Sequence, residues 1–172
     1  MVAMDVGLDV RGDVEGRNSV VARAVASRIF ADANIRLNWY EAPRAGVKVT
    51  RLTVVIVSQL KDRGDLFGHD RVLGRVGQPG VRAYVAYDRV VRFARRFHID
   101  TANVLGAVIA HELGHLLLGE GHSATGLMAA AVDARPDADL RFTPEQALAL
   151  RAILRRDDHS HTQGDVQLVT RN

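Results

Sequence analysis

Residues 111 to 128 read HELGHLLLGEGHSATGLM, and they continue a run that opens at Ala102 as ANVLGAVIA. Val104, Leu105, Val108, Ile109, Leu113, Leu116, Leu117 and Leu118 leave no polar face if 102–118 is helical, so such a helix has to be buried. Asp100 or Thr101 is placed to cap its start. Gly106, Ala110 and Gly114, four apart, form a smooth strip on which a neighbouring element can pack closely. Two histidines and a glutamate within so apolar a helix are costly unless they are paired or bound to a metal.

On an α-helix His111 and His115 fall on one face, about 6 Å apart along the axis, so both imidazoles can reach a single ion. Zinc accepts imidazole nitrogen at about 2.0–2.1 Å, and a rigid helix holds two such ligands with little ordering cost left. Glu112 projects about 100° from His111, beside the ion rather than in its coordination shell. A water on such an ion is acidified to a pKa of about 7, and a neighbouring carboxylate can take its proton as it attacks a carbonyl carbon.

A third ligand has to come from beyond the helix, because a straight continuation would carry residue 122 about 10 Å further along the axis than His115. Gly119 is suited to ending the helix in a left-handed conformation, and Gly121 frees the returning segment. His122 is then the nearest histidine able to close the site; Glu120, Asp133 and Glu145 are the other candidates.

This segment resembles the metzincin clan of zinc peptidases, and the HS after the turn with GLM beyond it is similar to the matrixin-like branch. The clan pattern is H-E-x-x-H-x-x-G-x-x-H followed by a Met-turn. Here it reads H-E-x-x-H-x-x-x-G-x-x-H, with one extra position among Leu116, Leu117 and Leu118, so the helix should end about a third of a turn later. The resemblance implies His111, His115 and His122 as zinc ligands, Glu112 as general base and Met128 as the Met-turn residue. It also implies that LGRV followed by QPG and a strand forms the sheet edge along which such enzymes hold an extended peptide. No tyrosine follows Met128, so the tyrosine ligand of some branches has no counterpart.

Outward from this segment, Val21, Val25, Ile29 and Ala33 recur every four residues and predict an amphipathic helix over 19–33, capped by Asn18 or Ser19. Ile35, Leu37 and Trp39 alternate with polar residues, and LTVVIV at 52–57 is a branched apolar run; both predict strands. Val72 to Val76 is a short candidate strand, GQPG at 77–80 a loop, and VRAYVAY at 81–87 another strand. Asp88 is placed to cap a helix running to about His98.

Residues 129–140 lack periodicity and predict an irregular loop. Thr143, Pro144, Glu145 and Gln146 then form a capping-box start to a helix through about Arg155. The expectation is one α+β, zincin-like domain over residues 1–156, a twisted mixed sheet with packed helices, followed by a polar tail at 157–172.

At 172 residues the chain can bury a substantial core without disulfides or a structural metal. With no cysteine, thiolate zinc sites and cysteine nucleophiles are excluded. The net charge of +3 is mild, Lys48 and Lys61 are the only lysines, and Arg89, Arg92 and Arg96 have the spacing of one solvated helix face. A nucleic-acid partner is therefore not expected, since neither an aromatic platform nor a recognition helix supports one. No stretch reads as a membrane span and MVAMDVGLDVRGDVEG is not a leader, which fits a cytoplasmic protein or a mature secreted or periplasmic form.

His69 and His98 have no partner at ligand spacing, and His159 and His161 sit in the polar tail. The function these residues point to is hydrolysis of peptide or protein substrates by a zinc-dependent monomer. The alternative is an inactive binding module of the same fold.

Overall fold

The computed structural model describes residues 1–41, 52–59, 74–76, 82–119, 121–130 and 139–166, of which 74–76 and 157–166 are described as backbone only. His69, Glu120, Asp133, the expected loop at 77–80 and the middle of the loop at 129–140 lie outside the described residues. In chain order the elements are β1 (Val2–Arg11), α1 (Gly16–Asp32), β2 (Ile35–Glu41), β3 (Leu52–Val57), β4 (Gly74–Val76), β5 (Arg82–Ala86), α2 (Tyr87–Phe97), α3 (Thr101–Leu118) and α4 (Pro144–Val166).

The strands form one mixed sheet in the order β2-β1-β3-β5-β4. β2, β1, β3 and β5 run parallel, and β4 closes one edge antiparallel to β5, with Arg75 opposite Tyr84. β1 lies between β2 and β3, with Val6 opposite both Trp39 and Leu52. Its alternation buries Val2, Met4, Val6 and Leu8, which join α1 residues Ala22, Val25, Ile29 and Phe30 and α3 residues Val104, Leu105 and Val108 in one core.

Several local expectations are corrected. The buried face of α1 is Ala22, Val25, Ala26, Ile29 and Phe30, while Val21 is exposed. The apolar stripe is therefore an i, i+3, i+4 pattern, not the simple four-residue repeat. α1 starts three residues earlier than expected, at Gly16, and neither Asn18 nor Ser19 caps it. Ser19 Oγ instead donates to the Gly16 carbonyl, and Asn18 Nδ2 donates to Tyr87 Oη. Asp88 lies in the first turn of α2 and pairs with Arg92 rather than capping the helix.

α3 begins as expected, with Asp100 accepting from the Ala102 and Asn103 amides. The α4 start is a formed capping box: Thr143 N–H donates to Gln146 Oε1 at 3.0 Å and Gln146 N–H to Thr143 Oγ1 at 3.3 Å. α4 continues to Val166, past the expected end near Arg155, so the first part of the expected tail is helical.

α3 occupies the centre of the molecule, which is why its sequence is apolar all round. Val104 to Gly114 are buried without a break, and the strip of small residues is used at both ends. At Gly106 an added Cβ would lie 2.5 Å from Val25 Cβ and 2.8 Å from the Ala22 carbonyl oxygen, so α1 and α3 meet at backbone distance. At Gly114 an added Cβ would strike Met128 and Phe142. By length and composition alone α3 does reach the size of a membrane span, contrary to the sequence expectation, but 67% of it is buried inside the fold. That burial makes it a core helix.

Candidate metal centre

α3 delivers His111 and Glu112 at the end of its buried stretch and His115 one turn later, where the helix comes to the surface. Leu116, Leu117 and Leu118 are half-buried, and the helix ends at Leu118. Gly119 follows with φ +90° and ψ −172°. That is an extended conformation of positive φ, open essentially to glycine alone, and not the left-handed helical cap expected from the sequence. The chain then turns back, and the ligating nitrogens of His111, His115 and His122 all lie within 4.8 Å of one another. The extra residue therefore does not separate His122 from the pair.

Among the described residues Glu145 does not join this group; it is exposed in the first turn of α4. His98, the C-cap of α2, is exposed and apart from it.

The two helical histidines have closely defined surroundings. His111 Nδ1 donates to the Leu127 carbonyl at 2.8 Å, and His115 Nδ1 donates to the Gly119 carbonyl at 2.9 Å. A carbonyl oxygen only accepts, so each Nδ1 carries a proton, and Nε2 is the nitrogen through which each neutral ring can ligate. Those two Nε2 atoms face one another at 2.9 Å. At that separation one ion can reach both.

Burial, together with His115 and His122 nearby, pushes His111 down to about 4 against the opposing pull of its bond to Leu127. His122, on the solvent side, is also lowered by partial burial and by His115. The separation is close to that of a zinc site, since tetrahedral zinc at the usual Zn–N distance places neighbouring nitrogens about 3.3 Å apart. The three imidazoles can hold a zinc ion, and three neutral nitrogens with an open side is a donor set that zinc uses.

Glu112 is 5% exposed, and burial alone pushes its carboxyl up to about 8. A buried carboxyl of that affinity holds or releases its proton near neutral pH, as a proton-transfer group must. A neighbouring cation would favour its ionised form.

Behind the histidines, residues 123–129 form a compact turn. Ser123 N–H donates to the Met128 carbonyl at 2.8 Å, Ser123 Oγ to the Thr125 carbonyl at 2.7 Å, and Leu127 N–H to the Arg141 carbonyl at 2.9 Å. Gly126 has φ +76°, and an added Cβ there would lie 2.8 Å from the Arg141 oxygen. Leu127 and Met128 are buried, and Met128 packs under α3 against Gly114. The supports of His111 and His115 are backbone carbonyls, which leave no residue-type signal.

The sequence matches no protein-family model and no curated protein. Among solved structures, the chain is similar to archaemetzincin from Methanopyrus kandleri, with a TM-score of 0.59 and 17% identity over 89% of this chain and 96% of that one. The fold is zincin-like. At that identity the likeness speaks for the architecture, and the chemistry rests on the histidines and Glu112.

Proposed function

We propose that the chain is a zinc-dependent endopeptidase of metzincin type. The observation that carries this reading is the convergence of the ligating nitrogens of His111, His115 and His122, with Glu112, the neighbour of His111 in sequence, buried on the same helix. The archaemetzincin-like fold supports it.

In this reading His111, His115 and His122 hold the ion, which when bound supplies Lewis acidity to a water and to the scissile carbonyl. Glu112 receives a proton from the attacking water and passes it to the leaving amine. The solvent-exposed side of His122 is where substrate arrives. A peptide lies along β4, the edge strand of the sheet among the described residues. Met128, beneath α3, takes the place of the Met-turn residue, and the HS and GLM features incline the reading to the matrixin-like branch.

Metal analysis of purified protein together with a peptide-library digest tests the reading. The expected result is one zinc per chain and cleavage that Glu112→Ala abolishes. Stoichiometric zinc without cleavage of any peptide would instead leave an inactive binding module.

A further inference from the structure

Gly119 does more than turn the chain. Its amide donates to the His115 carbonyl at 3.0 Å, closing the last turn of α3, and its own carbonyl accepts from His115 Nδ1 at 2.9 Å. One residue thus grips His115 at both main chain and ring. The second contact requires the carbonyl of residue 119 to point back along the helix, which the pairing of φ +90° with ψ −172° achieves. A residue with a Cβ is strained there and would relax to negative φ, rotating that carbonyl away.

We propose that Gly119 is a positioning residue for His115: its carbonyl fixes the ring as the Nδ1–H tautomer and so presents Nε2 to the metal. The extra residue among Leu116, Leu117 and Leu118 is what puts the glycine four positions after His115, at the reach of the Nδ1–H. His111 receives the same service from the Leu127 carbonyl, whose own amide is tied to Arg141. The two helical rings are therefore set by backbone, and a change of backbone conformation is what unsets them. Such supports outside the coordination shell typically change metal affinity by about 10- to 100-fold.

Gly119→Ala is a clean probe, because an added Cβ meets nothing within 4 Å and its effect is confined to backbone conformation. Gly121→Ala is the control: its Cβ also meets nothing within 4 Å, and its φ lies outside the positive region.

Two readouts apply: zinc affinity by chelator competition, and the ring tautomers of the metal-free protein by long-range proton–nitrogen NMR. Gly119→Ala should lower zinc affinity at least tenfold and give His115 a mixture of tautomers. Gly121→Ala should leave the His115 tautomer unchanged. A glycine that served only the turn toward His122 would lower affinity and leave the His115 tautomer intact, and that result overturns the proposal.

The proposal rests on the metal site described above, and the two fail differently. Absence of zinc binding in the unaltered protein defeats the peptidase reading. Unchanged affinity and tautomer in Gly119→Ala defeat this one alone.

Discussion

His111 Nε2 and His115 Nε2 stand 2.9 Å apart on rings whose opposite nitrogens are both committed to backbone carbonyls. A cation held by both Nε2 atoms binds the folded chain and has no such site in the unfolded one. Zinc at 100 times its dissociation constant should stabilise the fold by about 2.7 kcal/mol. For a chain of this size that corresponds to a rise in Tm of roughly 5–10 °C. Thermal melts with zinc and with excess chelator measure it. His111→Ala should remove the zinc-dependent rise while leaving a cooperative transition, since the core does not depend on the metal. No shift in the unaltered protein would mean that the histidine pair is not a metal site.

Glu112 should oppose stability where it serves function. Its carboxyl titrates at about 8 in the folded metal-free chain, against an ordinary 4.5. Between those values the folded state keeps a proton that the unfolded chain has released, so stability from this group falls as pH rises from 4.5 to 8 and is level below 4.5. Glu112→Gln has no such dependence. The stability advantage of the variant over the unaltered metal-free protein should grow by about 3 kcal/mol between pH 5 and pH 8.

His111, lowered to about 4, acts in the opposite sense, losing stability as pH falls below its ordinary 6.5, but it is common to both proteins. Denaturant titrations at three pH values suffice, and an advantage independent of pH would contradict the burial argument. The same variant should lose about 10²–10⁴-fold in hydrolysis.

Much of the arrangement was legible where side chains carry the signal. Asp100 and the Thr143/Gln146 box mark the starts of α3 and α4, and the apolar circumference of α3 foretold its central position. β1 is not among the elements expected from the sequence, although Val2, Met4, Val6 and Leu8 alternate with Ala3, Asp5, Gly7 and Asp9. Gly7 and the two aspartates depress strand propensity, and only pairing on both sides by β2 and β3 offsets this. No side chain caps α1, so its start at Gly16 carries no residue-type signal. At the site, the histidines were readable from helical geometry, whereas the carbonyls of Gly119 and Leu127 were not, since every residue has one.

Gly106 should prove a packing position with no part in the site. A methyl added there meets Val25 Cβ at 2.5 Å and the Ala22 carbonyl oxygen at 2.8 Å, and the latter is backbone that cannot step aside. Gly106→Ala should force α1 and α3 apart and cost about 1–3 kcal/mol. Zinc affinity per folded molecule should stay within about twofold of the unaltered value. Chemical denaturation and chelator competition on one preparation separate the two effects, and a tenfold affinity loss would show that the α1–α3 spacing reaches the histidines.

Gly114 differs from Gly106 in what it faces. An added Cβ would strike the Met128 thioether and lie 3.1 Å from Phe142 Cε1. Phe142 is itself held edge-on by Phe30 at 5.0 Å between centroids, so Met128 is the partner with freedom to move. Gly114→Ala alone should cost about 1–3 kcal/mol by overpacking, and Met128→Ala alone about 2–5 kcal/mol by leaving a cavity. In the double variant the new methyl enters the space the thioether vacates, so the combined loss should fall short of the sum by about 0.5–3 kcal/mol. Strict additivity would mean that the two side chains do not share that space. Because Met128 follows Leu127, whose carbonyl holds His111, zinc affinity should recover in parallel with stability when the second substitution is added.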